Sequence, residues 1–373
     1  MNAPKNSPTK RTLAGGDCLQ TTRPPRPLSA NLWRMPAEWE PHEATWIAWP
    51  HEKSDWPGKF PTIQWVYGEI VTRLARVERV RIVVSDEKQK AEVRKVLEKC
   101  HAKVSAVDLW IAPTDRSWLR DTCAIFVKDG QGNRAALDWH FNGWAKYPNW
   151  KQDDKLPSFA SRKLKIPRIV PMARGKNVVL EGGSIDVNGC GLLLTTEECL
   201  LSPVQARNPH LTKLEIEEVL CNHLGIQKIL WLNRGITGDD THGHIDDLAR
   251  FTDPGTVVVA SESDRNDANY EPLRENLARL KAMTDQDGKR LRVVPLPMPR
   301  PVWFDGQRLP ASYVNFYIAN GIVLAPVFND PNDRIALNTL AKLFPFHEVC
   351  PIYCGDLVLG LGTLHCMTQQ EIA

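Results

Sequence analysis

From Met35 onward, short apolar runs alternate with amphipathic stretches, and no other feature limits the architecture of this chain as tightly. Apolar residues at helical spacing (Trp65, Ile70, Leu74, Val77) predict a helix over Gln64–Val77. Arg81–Val84 reads as a strand, Glu87–Cys100 as a helix and Val104–Trp110 as another strand. Further strands are expected at Asn177–Glu181, Gly191–Thr195, Lys228–Leu232, Thr256–Ala260, Val293–Pro295, Tyr313–Tyr317 and Gly321–Leu324. Helices are expected at Glu271–Met283 and Asp333–Leu343. Thr212 and Glu215 have the spacing of a capping box, for a helix that stops before Gly225. Some strands come in pairs across a tight turn, as Leu180–Val187 with Gly191–Thr195 and Tyr313–Tyr317 with Gly321–Leu324. Such pairs imply antiparallel hairpins set between helices, within an α/β fold class.

No linker interrupts residues 33–373, so one catalytic domain is expected there. Residues 1–32 read as a disordered basic tail, with Pro24, Pro25 and Pro27 among Lys5, Lys10, Arg11, Arg23 and Arg26. That tail carries the positive balance of a chain whose net charge is +3. The body is close to neutral, which argues against nucleic acid as a partner. No run reaches the roughly 18 apolar residues of a membrane span. Met1–Asn31 lacks the apolar stretch of a signal peptide, so a cytoplasmic protein is expected. The nine cysteines include no CxxC pair, which speaks against a disulfide framework or a four-Cys zinc site.

Five segments could carry chemistry. SWLRDT (Ser117–Thr122) sets an Arg–Asp pair beside a tryptophan. VLEGGSID (Val179–Asp186) ends an apolar run on Glu181, followed by Gly182 and Gly183, which permit close approach of a ligand. TGDDTHGHIDD (Thr237–Asp247) packs four Asp and two His together. His242 and His244 alternate, so with Asp246 they could ligate a metal. Equally, His244 and Asp246 could be an acid/base residue and a substrate carboxylate. LGLGTLHCMTQQ (Leu359–Gln370) places Cys366 after turn glycines and among polar groups that could favour a thiolate. It also suggests that the C-terminal end is tied down. Finally, many of the thirteen tryptophans cluster in Glu38–Phe60 and Asp138–Trp150, where some could wall a site for a cation.

Taken in order, MPAEWEPHEATWIAWP, WLRD, LEGGSID, GDDTHGHIDD and HCMTQQ resemble the agmatine deiminase and Porphyromonas-type peptidylarginine deiminase family, from about Met35 to Gln370. The resemblance implies a five-bladed pseudosymmetric β/α propeller, the pentein fold, with one central site. It implies hydrolytic deimination of a small cationic guanidino substrate, agmatine first, giving N-carbamoylputrescine and ammonia. In that reading Cys366 is the nucleophile and His244 the general acid/base. Asp121 and Asp246 bind the guanidinium, and Glu181 supports His244. Trp118, Gly182 and Gly362 would line the substrate site. No cofactor and no metal are required, and analogy within the family suggests a homo-oligomer.

Two departures bear on specificity. Cys123 and Ala124 stand where relatives commonly have Gly-Pro, and Gly360-Leu361-Gly362-Thr363 stands where they often have Gly-Gly-Asn before the Ile-His-Cys. The alternatives are a deiminase or amidinotransferase acting on another guanidino compound, and a metal-dependent hydrolase using His242, His244 and Asp246.

Overall fold

A computed structural model describes residues 33–373, so the expected tail at 1–32 lies outside the described residues. Five of its sheets share one plan. A first strand pairs antiparallel with a second, helix follows, and the chain returns as a third strand parallel to the second. Ile125–Lys128, Arg134–Leu137 and Arg168–Ile169 make one set, with helix Leu156–Leu164 as the connection. Asp186–Val187, Leu192–Thr196 and Lys228–Leu232 make the next, connected through Lys213–Leu224. Ala249–Asp253, Thr256–Ser261 and Arg292–Pro297 follow, with helix Tyr270–Ala282. Tyr317–Ala319, Ile322–Val327 and Glu348–Tyr353 form the fourth, with helix Asp333–Leu343.

The fifth set joins the two ends of the described chain. Gln369–Ile372 pairs antiparallel with His42–Ala48, and helix Phe60–Leu74 leads to Arg79–Val84. Helix Glu87–Lys99 then adds a parallel strand, Val107–Ile111. Trp46 Nε1 donates to Glu371 Oε2 at 2.8 Å, and Arg81 pairs with the same carboxylate at 2.7 Å. The C-terminal end is tied down as expected, with Gln369–Ile372 buried.

Local chemistry explains most elements. TVVVAS and IVLAPV are central strands with apolar residues on both faces, as strands covered on both sides require. The capping box at Thr212–Glu215 is present, and Gly225 ends that helix in the left-handed region at φ +69°. Helix Phe60–Leu74 starts and stops earlier than its periodicity suggested, because Pro61 suits the first turn.

Two expected strands lie mostly outside the sheets; in the first, Val179 makes an isolated parallel bridge to His140. In Asn177–Glu181 only Asn177 joins a strand, in the short pair Met172–Ala173 with Lys176–Asn177. The Asn208 side chain satisfies both the N–H and the C=O of Val179, at 2.9 and 2.8 Å, in place of a second strand. In Tyr313–Tyr317 the strand begins only at Tyr317, after a turn at Tyr313–Val314.

Candidate active site

Each first strand is entered through a short turn, and these turns hold the chemically able side chains. Leu119–Thr122 carries Asp121, and Gly182–Ser184 follows Glu181. Ile245–Asp247 follows His244 and carries Asp246, and Leu364–Met367 carries Cys366. The turn before Tyr317 contributes Asn315. The five turns meet. Gly183 N donates to Asp121 Oδ1 at 3.0 Å. His244 Nδ1 lies 3.8 Å from Asp121 Oδ1, and Cys366 Sγ lies 3.5 Å from Asp246 Oδ2. A Cβ built on Gly183 would stand 2.6 Å from His244 Nδ1, 2.8 Å from Asp121 Oδ1 and 3.0 Å from Asp246 Oδ2.

The electrostatics are those of a buried cluster of acids around one imidazole. Burial raises the Asp121 carboxyl to about 6; Asp246 and Glu181 add to the rise, and His244 opposes it. Trp144 Nε1 donates to its other oxygen at 2.9 Å. Burial would also raise Glu181, but Arg207, at 3.1 Å, and His244 hold it down at about 2. Burial disfavours a charged His244, yet Asp121, Cys199 and Glu181 together raise it well above the ordinary histidine value. These neighbours favour the imidazolium form of His244. Burial, then Asp246, Asp247 and Asp121, push the Cys366 thiol well above its usual range.

Several buried polar atoms here have no hydrogen-bond partner among the described residues: both ring nitrogens of His244, Asp246 Oδ1 and Glu181 Oε2. Such orphans are costly, so a group that supplies donors is expected to meet the carboxylate.

A cavity of about 220 Å³ opens beside the cluster, with Asp121, Cys366, Trp118, Trp144 and Gly362 in its wall. Gly362 must lack a side chain, since a Cβ would stand 2.9 Å from the Trp118 ring and 3.0 Å from Cys366 Cβ. Asp55 and Asp240 add acid to the wall. Arg116 answers Asp55 at 2.5 Å and stacks over Tyr147, while Lys146 and Tyr147 bind Asp240.

Of the residues singled out from sequence, Cys366, His244, Asp121, Asp246, Glu181, Trp118 and Gly362 come together. Gly182 does not belong to the site: it packs on the Arg120 backbone, 2.2 Å from where a Cβ would lie, and Gly183 is the glycine among the acids. His242 is turned away, with Nε2 3.1 Å from Ser202 Oγ, so His242, His244 and Asp246 do not converge as metal ligands. Among the described residues, Glu181, Cys199 and His244 are the group with metal-ligating atoms within 4.8 Å of one another, and Arg207 already neutralises Glu181 there. Cys123 packs with Trp46, Leu119 and Phe126, outside the cavity wall, whereas Leu361 lines the cavity.

Sequence reading missed Asn315, Arg207 and Glu38, and offered Trp144 only as one of the tryptophans of Asp138–Trp150. Glu38 sits at the head of a charged network. Its carboxylate pairs with Arg250 at 2.9 Å and with Arg120 at 3.0 Å, and receives His365 Nε2 at 2.9 Å. His365 Nδ1 in turn lies 2.8 Å from Asp246 Oδ2.

A family model described as Porphyromonas-type peptidyl-arginine deiminase matches residues 34–371. The chain is 37% identical over 367 residues to the agmatine deiminase of Pseudomonas aeruginosa (strain LESB58), covering 92% of this chain and 96% of that one. Among solved structures, the agmatine deiminase of Enterococcus faecalis superposes with a TM-score of 0.83 at 33% identity, over 91% of this chain and 95% of its own. A Cys-to-Ser variant of the C. jejuni agmatine deiminase with substrate bound gives 0.81 at 30%, over 92% and 97%.

Proposed function

The chain belongs to the Porphyromonas-type peptidyl-arginine deiminase family, and from that premise we propose that it is an enzyme that hydrolyses agmatine to N-carbamoylputrescine and ammonia. The observation that carries the proposal is the pairing of orphaned buried acceptors with a thiol. Asp246 Oδ1 has no hydrogen-bond partner among the described residues, while Asp246 Oδ2 lies 3.5 Å from Cys366 Sγ. A guanidinium is planar and cationic, so carboxylates bind its fork. Asp121 and Asp246 would hold it against Cys366, with Trp118 in the cavity wall.

The guanidinium carbon is a poor electrophile, so a thiolate is needed. The bound cation offsets the carboxylates that hold the thiol protonated, so the thiol loses its proton to solvent as the substrate binds. Cys366 Sγ then bonds to the guanidinium carbon, and His244 gives its proton to the departing nitrogen as the C–N bond breaks. Ammonia leaves and a thiouronium-type adduct remains. His244 next takes a proton from water as the water oxygen attacks. The C–S bond breaks, the thiolate returns, the hydroxyl proton passes to solvent and the neutral ureido product is released.

The five sheets of one plan, each entered through a turn that contributes to one cluster, support a five-bladed pseudosymmetric propeller built from a single domain over residues 33–373. A colorimetric assay for ureido product from agmatine and a panel of guanidines tests the function, with Cys366→Ser as control. Product from the wild type and none from the variant is expected. Absence of product from every guanidine would defeat the reading.

A further inference from the structure

We propose that Asn315 is a catalytic residue of this site, donating its side-chain amide to Sγ of Cys366 and stabilising the thiolate. The proposal rests on Cys366 being the nucleophile. Asn315 is fully buried. Its Oδ1 accepts from Thr363 Oγ1 at 2.8 Å and from the backbone N–H of His365 at 3.0 Å. The His365 N–H fixes which end of the amide is oxygen, because a flipped amide would set its NH2 against that donor, and the Thr363 hydroxyl then donates to the same oxygen. Nδ2 is thereby aimed at the sulfur, 3.1 Å away.

Two side chains that touch the sulfur have opposite characters. Asp246 Oδ2, at 3.5 Å, can only accept, so it suits a thiol that donates. Asn315 Nδ2 can only donate, so it suits a thiolate that accepts. Asp246, Asp247 and Asp121 all face the sulfur and oppose its ionisation. Once a guanidinium neutralises the carboxylates, the amide and the Thr363 backbone N–H are the fixed dipoles left to hold the negative sulfur. They do so again when the C–S bond breaks and the thiolate departs. A preformed donor aimed at developing charge is the arrangement that lowers such barriers.

The position of Asn315 also completes a pattern. Of the five turns that enter first strands, four contribute Asp121, Glu181 with Gly183, His244 with Asp246, and Cys366. The fifth contributes Asn315, whose neighbours Val314 and Phe316 are core residues.

The test is the pH dependence of Cys366 alkylation by iodoacetamide in the full chain, followed by peptide mass mapping. Asn315→Ala removes the donor. Asn315→Asp keeps the oxygen that Thr363 and His365 use, and so preserves the turn if the alanine variant fails to fold. Both are expected to move half-maximal alkylation upward by about one pH unit and to lower kcat roughly tenfold or more, with KM for agmatine little changed. An unshifted alkylation profile in a folded variant would overturn the proposal. Cys366→Ser separates the two readings. If it stays active, the nucleophile assignment fails. If it is inactive while the Asn315 variants alkylate as wild type, only the role of Asn315 fails.

Discussion

His365 holds Asp246 from behind, with Nδ1 2.8 Å from Asp246 Oδ2 and Nε2 2.9 Å from Glu38 Oε2. Both ring nitrogens face carboxylates, and Glu38 is itself anchored by Arg120 and Arg250. The network therefore aims Asp246 without touching the substrate. His365→Gln keeps at most one of the two contacts. A misaimed carboxylate in a tight site costs roughly 10²-fold in kcat/KM. Because Asp246 binds the ground-state guanidinium, most of that loss should appear as a higher KM for agmatine. Steady-state kinetics with a matched thermal melt decides this, and an unchanged KM in a folded variant refutes it.

Gly183 is the closest backbone to the acids, and its missing side chain is a requirement of the site. The polar atoms of His244, Asp121 and Asp246 would each lie 3.0 Å or less from an added Cβ. Its backbone is not in the left-handed region, so alanine is tolerated conformationally. Gly183→Ala should leave the fold intact by circular dichroism and reduce kcat/KM by on the order of 10²-fold or more, through displaced catalytic groups. Near wild-type activity would mean that these side chains do not act together.

Asp121 should set the acid limb of the pH profile. With its carboxyl raised to about 6, the free enzyme loses a guanidinium ligand below that pH, and kcat/KM should fall there. The sign for stability is the reverse. A carboxyl raised above its unfolded value of about 3.9 contributes fully at low pH, and the contribution is lost as pH rises through about 6. Asp121→Asn should therefore be inactive, yet more stable than wild type at pH 8 by on the order of 1 kcal/mol, after loss of one hydrogen bond. Urea titrations at pH 8 and pH 5 test this, and a variant less stable at pH 8 would refute it.

What could be read from sequence was the chemistry of compact motifs. Asp121, Glu181, His244, Asp246 and Cys366 each sit in a segment whose residue types are hard to explain as core or loop. Helix Asp333–Leu343 and strand Lys228–Leu232 were legible from periodicity alone. Asn315 was hidden because SYVNFY has the composition of a buried strand, and only the turn shows it leaving the sheet. Arg207 and Glu38 lie far along the chain from the groups they neutralise, 26 residues from Glu181 and 327 from His365. No local pattern announces such a partner. Gly182 and Gly183 were indistinguishable by type; packing against Arg120 separates them.

Arg207 and Glu181 form an ion pair without solvent exposure, and removing one partner leaves the other buried alone. Breaking such a pair costs about 3–5 kcal/mol. Glu181 is held at about 2, below its unfolded value of about 4.3, so its stabilisation is present above pH 4 and lost as pH falls toward 2. Arg207→Met should thus be strongly destabilised at pH 7, with the gap to wild type narrowing below about pH 4. Denaturant midpoints across that range check the trend, and a gap independent of pH contradicts it.

Leu361 occupies the left-handed region at φ +68°, ψ 23°, and lines the cavity between Gly360 and Gly362. That backbone costs a residue with a Cβ roughly 1–2 kcal/mol. Leu361→Gly removes this strain but gives the unfolded chain more freedom, worth about 0.5–1 kcal/mol, so net stability should change little. The cavity should change more, since a whole side chain leaves its wall. Discrimination between agmatine and a bulkier guanidine should fall by about tenfold, the scale of a lost apolar contact in a pocket. Leu361→Val is the opposing case: a β-branched residue fits the left-handed region poorly, so this variant should lose at least about 1 kcal/mol while keeping the cavity narrow. Equal selectivity in all three proteins would show that this side chain does not shape the site.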